Sequence, residues 1–191
     1  MLEVYVTSAS CFAACRAITL ASGLASSDYA YLQTPGASPP ARSSLGQTFT
    51  TGAECVILSS FALGLLPPGG AGLVQITALL YPYDLTTDRV TGSRLASQST
   101  SATQSQGSLT VTFPQPVQLS PATTYAIILT TAGLGQSATD LEIDFQRSLP
   151  GNPNPIPGGK WIYQSGLGDI PSAIEANPFL SASDNLGITI N

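Results

Sequence analysis

Three acidic side chains alternate along one short stretch and have the residue types and spacing that could do chemistry. Asp140, Glu142 and Asp144 are separated by the apolar Leu141 and Ile143. In a β-strand, residues two positions apart share a face and lie roughly 6.5–7 Å from each other. Two carboxylates at such a spacing suit glycoside hydrolysis, and three suit Ca²⁺, which prefers oxygen ligands. We expect a solvated strand face here, with a metal site and catalysis as the two alternatives.

Aromatic rings are the second feature that could bind a ligand, by stacking on sugar rings. The candidate carbohydrate or interface aromatics are Tyr81, Tyr83, Trp161 and Tyr163, of which Trp161 and Tyr163 share a face by alternation. Packing in a core or an interface is the commoner fate of such rings, and it is the one we favour. Tyr81 and Tyr83 flank Pro82 near a strand end and are predicted to be the most exposed pair.

The chain contains no histidine, which removes the usual base of nucleophilic triads and a common zinc ligand. Lys160 is the only lysine, and it lacks the spacing to serine that a Ser–Lys dyad requires. Gly69-Gly70 is not followed by the Lys-Ser/Thr of a phosphate-binding loop. We therefore predict no enzymatic activity, no catalytic residues and no cofactor, with Ca²⁺ at the acidic strand as the one alternative.

Charge is scarce in this chain. Only 9% of the residues are charged, against roughly 25% in typical soluble domains, and the net charge is −5. The six Lys and Arg residues are scattered, so they form no basic patch for nucleic acid or for an anionic membrane. A surface of uncharged polar residues suits a protein that packs against neighbours or works outside the cell.

The three cysteines are Cys11, Cys15 and Cys55. An odd count is not typical of a disulfide framework. We expect buried free thiols, with a Cys11–Cys15 pair or a bridge to Cys55 as alternatives.

Short runs of alternating apolar and polar residues predict half-buried strands along most of the chain. The clearest runs begin at Val74, Leu109, Leu141 and Leu186, and the continuous apolar run Thr124–Leu129 predicts a central strand. Weaker strands are predicted at 2–7, 29–33, 47–51, 56–63, 94–99 and 160–164. The Pro-containing segments 67–70, 114–116 and 150–155 are predicted to be turns between strands, because they cannot continue a strand ladder.

Helical signals are weak. A short helix or a strand is expected within 13–22, and one helical turn within 172–178. The fold class is therefore all-β, an antiparallel, jelly-roll-like β-sandwich of about ten strands with at most one short helix.

A Pro- and Ser-rich linker at 34–44 divides the chain into an N-terminal arm or first strands (1–44) and a β-sandwich domain (45–191). We expect the arm to supply the first strand of the same sandwich, and the alternative is that it adds to a neighbouring subunit's sheet. The start Met1-Leu2-Glu3 lacks the basic region of a secretory signal, so we expect an unexported chain.

Several motifs follow one another in a recognisable order. They are Gly46-Gln47-Thr48-Phe49-Thr50-Thr51-Gly52 with Leu58-Ser59-Ser60-Phe61, then Ile76–Tyr81, Leu119–Leu129, Pro157–Tyr163 and the terminal Asp184–Ile190. In this order residues 45–191 resemble the choice-of-anchor-like jelly-roll β-sandwich domains of bacterial surface proteins and phages. The resemblance implies a fold and a structural corner before the central strand, and it carries over no catalytic residue. The chain ends with its last strand, without the sorting signal of surface-anchored members, and this favours assembly in a cytoplasm.

These observations predict a non-enzymatic virion structural protein of a bacterial virus, either a capsid decoration (cement) protein or a tail, neck or fibre component. Its expected partners are coat subunits and itself, as a homotrimer, with a surface glycan as a further candidate and with neither nucleic acid nor membrane. The alternative is a carbohydrate-binding module of an extracellular or cell-surface protein, and the second alternative is a glycan-active enzyme.

Overall fold

The computed structural model describes residues 15–21, 29–33, 43–65, 73–103, 106–135, 142–146, 156–164, 173–182 and 186–191. These residues form fourteen strands and a single helical turn, which confirms the predicted all-β sandwich fold. The elements are β1 (Arg16–Ala17), β2 (Leu20–Ala21), β3 (Tyr29–Gln33), β4 (Ser44–Thr50), β5 (Val56–Gly64), β6 (Val74–Asp84), β7 (Arg89–Val90), β8 (Ala96–Ala102), β9 (Ser108–Leu119), β10 (Thr124–Thr130), β11 (Glu142–Gln146), β12 (Trp161–Gln164), α1 (Ala173–Ala176), β13 (Leu180–Ala182) and β14 (Ile188–Ile190).

The larger sheet has seven antiparallel strands in the order β13-β12-β4-β10-β6, with β7 and β8 both paired to the far edge of β6. Its central strand β10 pairs with β4 and with β6 over nearly its whole length, and its side chains are almost all buried. The continuous apolar run therefore forms the central strand that the sequence predicts.

The smaller sheet is built around β5. β9 pairs with one edge of β5, while β1 and β14 pair with different parts of its other edge and β2 pairs with β14. β3 and β11 pair with each other in a separate two-stranded sheet. Leu32 of β3 is nevertheless fully buried in the main core. That core fills the space between the two large sheets, where Phe61 packs against Phe113 and Phe49 packs against Tyr125.

A second, smaller apolar cluster covers the outward face of the larger sheet. We call it the outer cluster, and its members are Leu79, Tyr81, Tyr83, Ala126, Ile128, Ile162, Ile174 and Phe179. Ile174 and Phe179 come from the segment 173–179, which includes α1 and lies over the sheet before the chain joins the sheet's edge as β13. α1 confirms the helical turn predicted at 172–178.

The described part of the N-terminal arm packs within its own chain. β1 is parallel to β5, β2 is antiparallel to β14, and Ile18 between them is buried in the main core. The strand alternative for residues 13–22 is therefore the correct one over its described part. The strand predicted at 2–7 lies outside the described residues.

A disulfide joins Cys15 at the start of this segment to Cys55, across a Cα–Cα distance of 4.9 Å. The expectation of free thiols is wrong for these two residues, because the pairing of β1 with β5 brings the two cysteines together. Cys11 lies outside the described residues.

The corner before β10 is held by hydrogen bonds. The Tyr125 hydroxyl accepts a 2.8 Å hydrogen bond from the Ser120 backbone N–H, and Ala122 at the tip has a φ of 47°. Thr51 Oγ1 accepts from the Thr123 N–H at 3.0 Å, which ties the corner to the end of β4.

The prediction of a turn at Pro114–Pro116 is wrong, but the prediction that these prolines do not continue a strand ladder is confirmed. β9 continues through both residues, but its ladder with β5 is interrupted between Thr112 and Val117. Proline has no N–H to donate, so a strand can contain it where the ladder is already interrupted. On the β5 side of the same irregularity, Ser59 N–H and Ser60 N–H donate instead to the Asn191 carbonyl at 2.8 Å.

Candidate functional site

The predicted aromatics do not form an exposed ring surface. Tyr81 and Tyr83 are 2% and 5% exposed, so the prediction that this pair is exposed is wrong. Both side chains project from the outward face of β6 into the outer cluster, where Phe179 packs edge-on against Tyr83. Trp161 is buried, and its ring stacks on that of the half-buried Tyr163 at a centroid distance of 4.8 Å, which confirms that the two share a face.

The acidic stretch lies mostly beyond what the structure describes. Glu142 and Asp144 are in β11, as the alternation predicts, and their backbones pair with Gln33 and Tyr31 of β3. Asp140 lies outside the described residues, as do the side chains of Glu142 and Asp144, so the metal site stays a prediction. Among the described residues, no three Cys, Asp or Glu side chains gather as a metal ion would require.

A cleft of about 370 Å³ opens on the outward face of the larger sheet, beside the outer cluster. Its floor consists of Thr77, Leu79 and Tyr81, which alternate along β6, and of Thr130 at the end of β10. Its walls come from the loop before β8, from the turn after β10 and from α1; they contain Arg94, Ala132, Gly133, Leu134 and Glu175. Clefts of about 300–1,000 Å³ are typical of small-molecule sites. We call this cleft the outer cleft.

The polar centre of the outer cleft is the Tyr81 hydroxyl. It donates a 2.7 Å hydrogen bond to Glu175 Oε1. Burial, and then the bond to Glu175, raise the pKa of Tyr81 to about 12, although the nearby Arg94 guanidinium partly offsets the rise. At neutral pH the phenol is therefore protonated and remains a donor to the carboxylate.

Arg94 and Glu175 approach the same hydroxyl but do not pair with each other. Both side chains are exposed, and no described carboxylate forms an ion pair with Arg94. Most of the guanidinium donors and the second carboxylate oxygen of Glu175 therefore remain available to a ligand.

The two threonines on the cleft floor differ in their hydrogen bonding. Thr130 Oγ1 donates to the Ser43 carbonyl at 3.0 Å and accepts from Ser44 Oγ at 2.9 Å, so it is fully used. Thr77 is half-buried, and its hydroxyl makes no hydrogen bond within the described part of the chain. It is free to bind a ligand.

Asp88 fixes the segment that carries Glu175. Its carbonyl accepts from Phe179 N–H at 2.7 Å, and its carboxylate accepts from Ser181 Oγ at 3.1 Å. The same carboxylate lies 3.4 Å from the Tyr83 hydroxyl and 3.9 Å from Lys160 Nζ. Burial, and then Asp88, raise the pKa of Tyr83. These bonds hold the segment 173–182 against β6, β7 and β12.

Of the polar residues that line the outer cleft, only Tyr81 is a site residue predicted from the sequence. Arg94 and Glu175 belong to no motif, and they lie in the weakly predicted segments 94–99 and 172–178. The one signal in the sequence is that charged residues are scarce. The chain has only six Lys and Arg residues, so each of them is a candidate for a specific role.

A second cavity, of about 380 Å³, lies between the edges of the two sheets. Its lining comes from the start of β8 (Leu95, Ala96, Ser97) and from the proline-containing part of β9 (Pro114–Gln118). Leu95 is 42% exposed there. We call this the edge groove.

No protein-family model matches this chain, and no curated protein matches it in sequence. No helix in the described residues has the length and apolarity needed to cross a membrane.

Proposed function

We propose that this protein is a non-enzymatic structural subunit that works by assembling with neighbouring protein chains. The observation that carries the proposal is the free edge of β8. β8 pairs with β6 along one side, and no described strand pairs with its other side. Seven residues long, it is a full-length strand that a second sheet can extend.

The composition of this edge supports the proposal. Soluble proteins usually protect edge strands with charge, proline or bulges, because an unprotected edge pairs with other chains. β8 contains neither a charged residue nor a proline, and the adjacent β9 contains no charged residue either. The exposed Leu95 and the edge groove extend this uncharged surface, which suits permanent contact with a neighbour.

Within this class we propose a virion structural protein of a bacterial virus, such as a capsid decoration protein or a tail, neck or fibre component. The expected partners are coat subunits and further copies of the chain in a closed ring, with a trimer as the first candidate. The described arm strands β1 and β2 pair within their own chain, and we propose β8 as the surface that makes the contact.

The Cys15–Cys55 bridge bears on where the protein works. Disulfides persist in oxidising surroundings and are rare in the cytosol. A virion that is assembled in a host cytoplasm and then released meets first a reducing and then an oxidising environment. An extracellular or cell-surface location is the alternative.

Charge added to the edge tests the proposal. Ser97 and Ser99 are exposed on β8, so the double variant Ser97→Lys/Ser99→Lys places two positive charges beside the free edge. In sedimentation velocity and light scattering, we expect an oligomer for the parent chain and a monomer for this variant.

Ser120→Lys is the control, because Ser120 is also exposed but lies in the corner before β10, away from β8. It should assemble as the parent does. A parent chain that stays monomeric at high concentration and does not join coat subunits would contradict the proposal.

A further inference from the structure

We propose that the outer cleft is a binding site for a neutral sugar unit, at Arg94, Glu175, Tyr81 and Thr77. This goes beyond the assembly role, because the outer cleft and the free edge of β8 use different residues.

The arrangement of donors and acceptors favours a ligand with adjacent hydroxyl groups. Arg94 supplies several N–H donors without a described carboxylate partner, and Glu175 has one carboxylate oxygen that Tyr81 does not use. A hydroxyl both donates and accepts, so two neighbouring hydroxyls of a sugar ring can accept from Arg94 and donate to Glu175. Thr77 offers a third contact on the floor.

The balance of charge favours a neutral ligand. Among its described lining residues, the outer cleft contains one guanidinium and one carboxylate, and both approach the Tyr81 hydroxyl. A phosphate or carboxylate ligand would gain from Arg94 but would be repelled by Glu175, and a cationic ligand would meet the reverse problem. A ligand without net charge is repelled by neither Glu175 nor Arg94.

The apolar part of the lining supplies the remaining contact. Leu79 on the floor and Ala132 and Leu134 on the wall offer aliphatic surface, which suits the C–H face of a sugar ring. Small-molecule sites combine such apolar walls with a few placed polar groups. The floor is rigid, because β6 and β10 are paired along it and Thr130 is held by Ser43 and Ser44.

The test is saturation-transfer NMR and calorimetry on the whole chain with methyl α-mannoside, methyl β-galactoside, methyl N-acetylglucosaminide and inorganic phosphate. We expect at least one of the three glycosides to bind in a saturable way and phosphate not to bind. Arg94→Ala should raise the dissociation constant by about tenfold or more, because a hydrogen bond to a charged group is lost. Tyr81→Phe should weaken binding less, since it frees Glu175 without removing it.

Arg16→Ala is the matched control, because Arg16 is also exposed but lies on β1 of the other sheet, paired with Glu54. It should bind the glycoside as the parent does. Three results would each overturn the proposal: no binding of any of the three glycosides, unchanged binding by Arg94→Ala in a folded protein, or binding of phosphate in preference to the glycosides.

Discussion

The Tyr81 hydroxyl donates a 2.7 Å hydrogen bond to Glu175 Oε1, although the two residues lie 94 positions apart in the chain. Tyr81 is in β6, and Glu175 is in α1, above the outward face of the same sheet. The bond therefore links the sheet to the segment that covers it, and it sets the position of the one carboxylate among the described residues that line the outer cleft.

The burial of Tyr81, together with this bond, predicts a loss of stability at alkaline pH. The pKa of Tyr81 rises from the ordinary value of 10.0 to about 12 in the folded protein. Between these values the unfolded chain has released the proton and the folded chain retains it, so the free energy of unfolding falls as the pH rises. Below pH 10.0 this contribution is fully present. Urea unfolding at pH 8, 10 and 11 measures the slope.

Tyr81→Phe removes this titration and should make the alkaline slope shallower. At neutral pH we expect the variant to lose about 1 kcal/mol or less, because the hydrogen bond ends on an exposed carboxylate. Parallel slopes for the parent and Tyr81→Phe would show that Tyr81 does not titrate as the structure indicates.

The disulfide predicts a large loss of stability when it is removed. Cys15 and Cys55 are 40 positions apart, and a loop of that length is worth roughly 4 kcal/mol through the entropy of the unfolded chain. Cys15→Ser/Cys55→Ser should lower the midpoint of urea unfolding accordingly. Hydrogen exchange should increase first in β1, because its short pairing with β5 begins beside the bridge.

Cys11→Ser separates this bridge from the rival Cys11–Cys15 pairing. Peptide mapping without reduction should recover the Cys15–Cys55 peptide pair from Cys11→Ser and should find no bridge in Cys15→Ser. A free Cys55 thiol in the parent chain, detected by alkylation, would contradict the structure.

Local pattern predicts the strands well, because alternation depends only on neighbouring residues. The continuous apolar run of β10 indicates burial on both faces, and the structure shows that β10 is covered by the main core on one side and by the outer cluster on the other. The same reasoning cannot say what covers a face. Tyr81 and Tyr83 were predicted to be exposed because nothing near them in sequence reveals that Phe179 and α1 pack above them.

Pairings that join distant parts of the chain account for the other differences. The Cys15–Cys55 bridge depends on the parallel pairing of β1 with β5. Whether the number of cysteines is odd or even gives no information about that pairing. The outer cleft likewise depends on Arg94, in the loop before β8, and Glu175, in α1, reaching one hydroxyl, for which the sequence has no period or motif.

We expect that position 158 does not tolerate a residue with a side chain. Its φ is +64°, and a Cβ there would collide with Thr50 Oγ1, which is hydrogen-bonded to Thr124 Oγ1 at 2.9 Å. Gly158→Ala should cost about 1–3 kcal/mol, from backbone strain and from displacing Thr50. Thermal unfolding measures the loss.

Gly52→Ala is the matched control for Gly158→Ala. An added Cβ at Gly52 would have no atom within 4 Å, and its φ lies outside the left-handed region. We expect a change within about 0.5 kcal/mol. Equal melting temperatures for the two variants would contradict the predicted strain at Gly158.

We expect that Gln47 cannot be replaced by an apolar residue without a loss of stability, although it lies in the core. Its side chain is fully buried in β4 of the larger sheet, where Oε1 accepts a 2.8 Å hydrogen bond from Leu186 N–H, two residues before β14 of the smaller sheet. Gln47→Leu has a similar volume but removes this acceptor, which should cost about 1–3 kcal/mol in urea unfolding.

Leu45→Met, on the same strand, is the control. It changes core packing without removing a hydrogen bond and should cost less than about 1.5 kcal/mol. Amide exchange at Leu186 should accelerate in Gln47→Leu alone. If Gln47→Leu were as stable as the parent, the hydrogen bond between the two sheets would not contribute to the fold, and hydrophobic packing alone would join the end of the chain to β4.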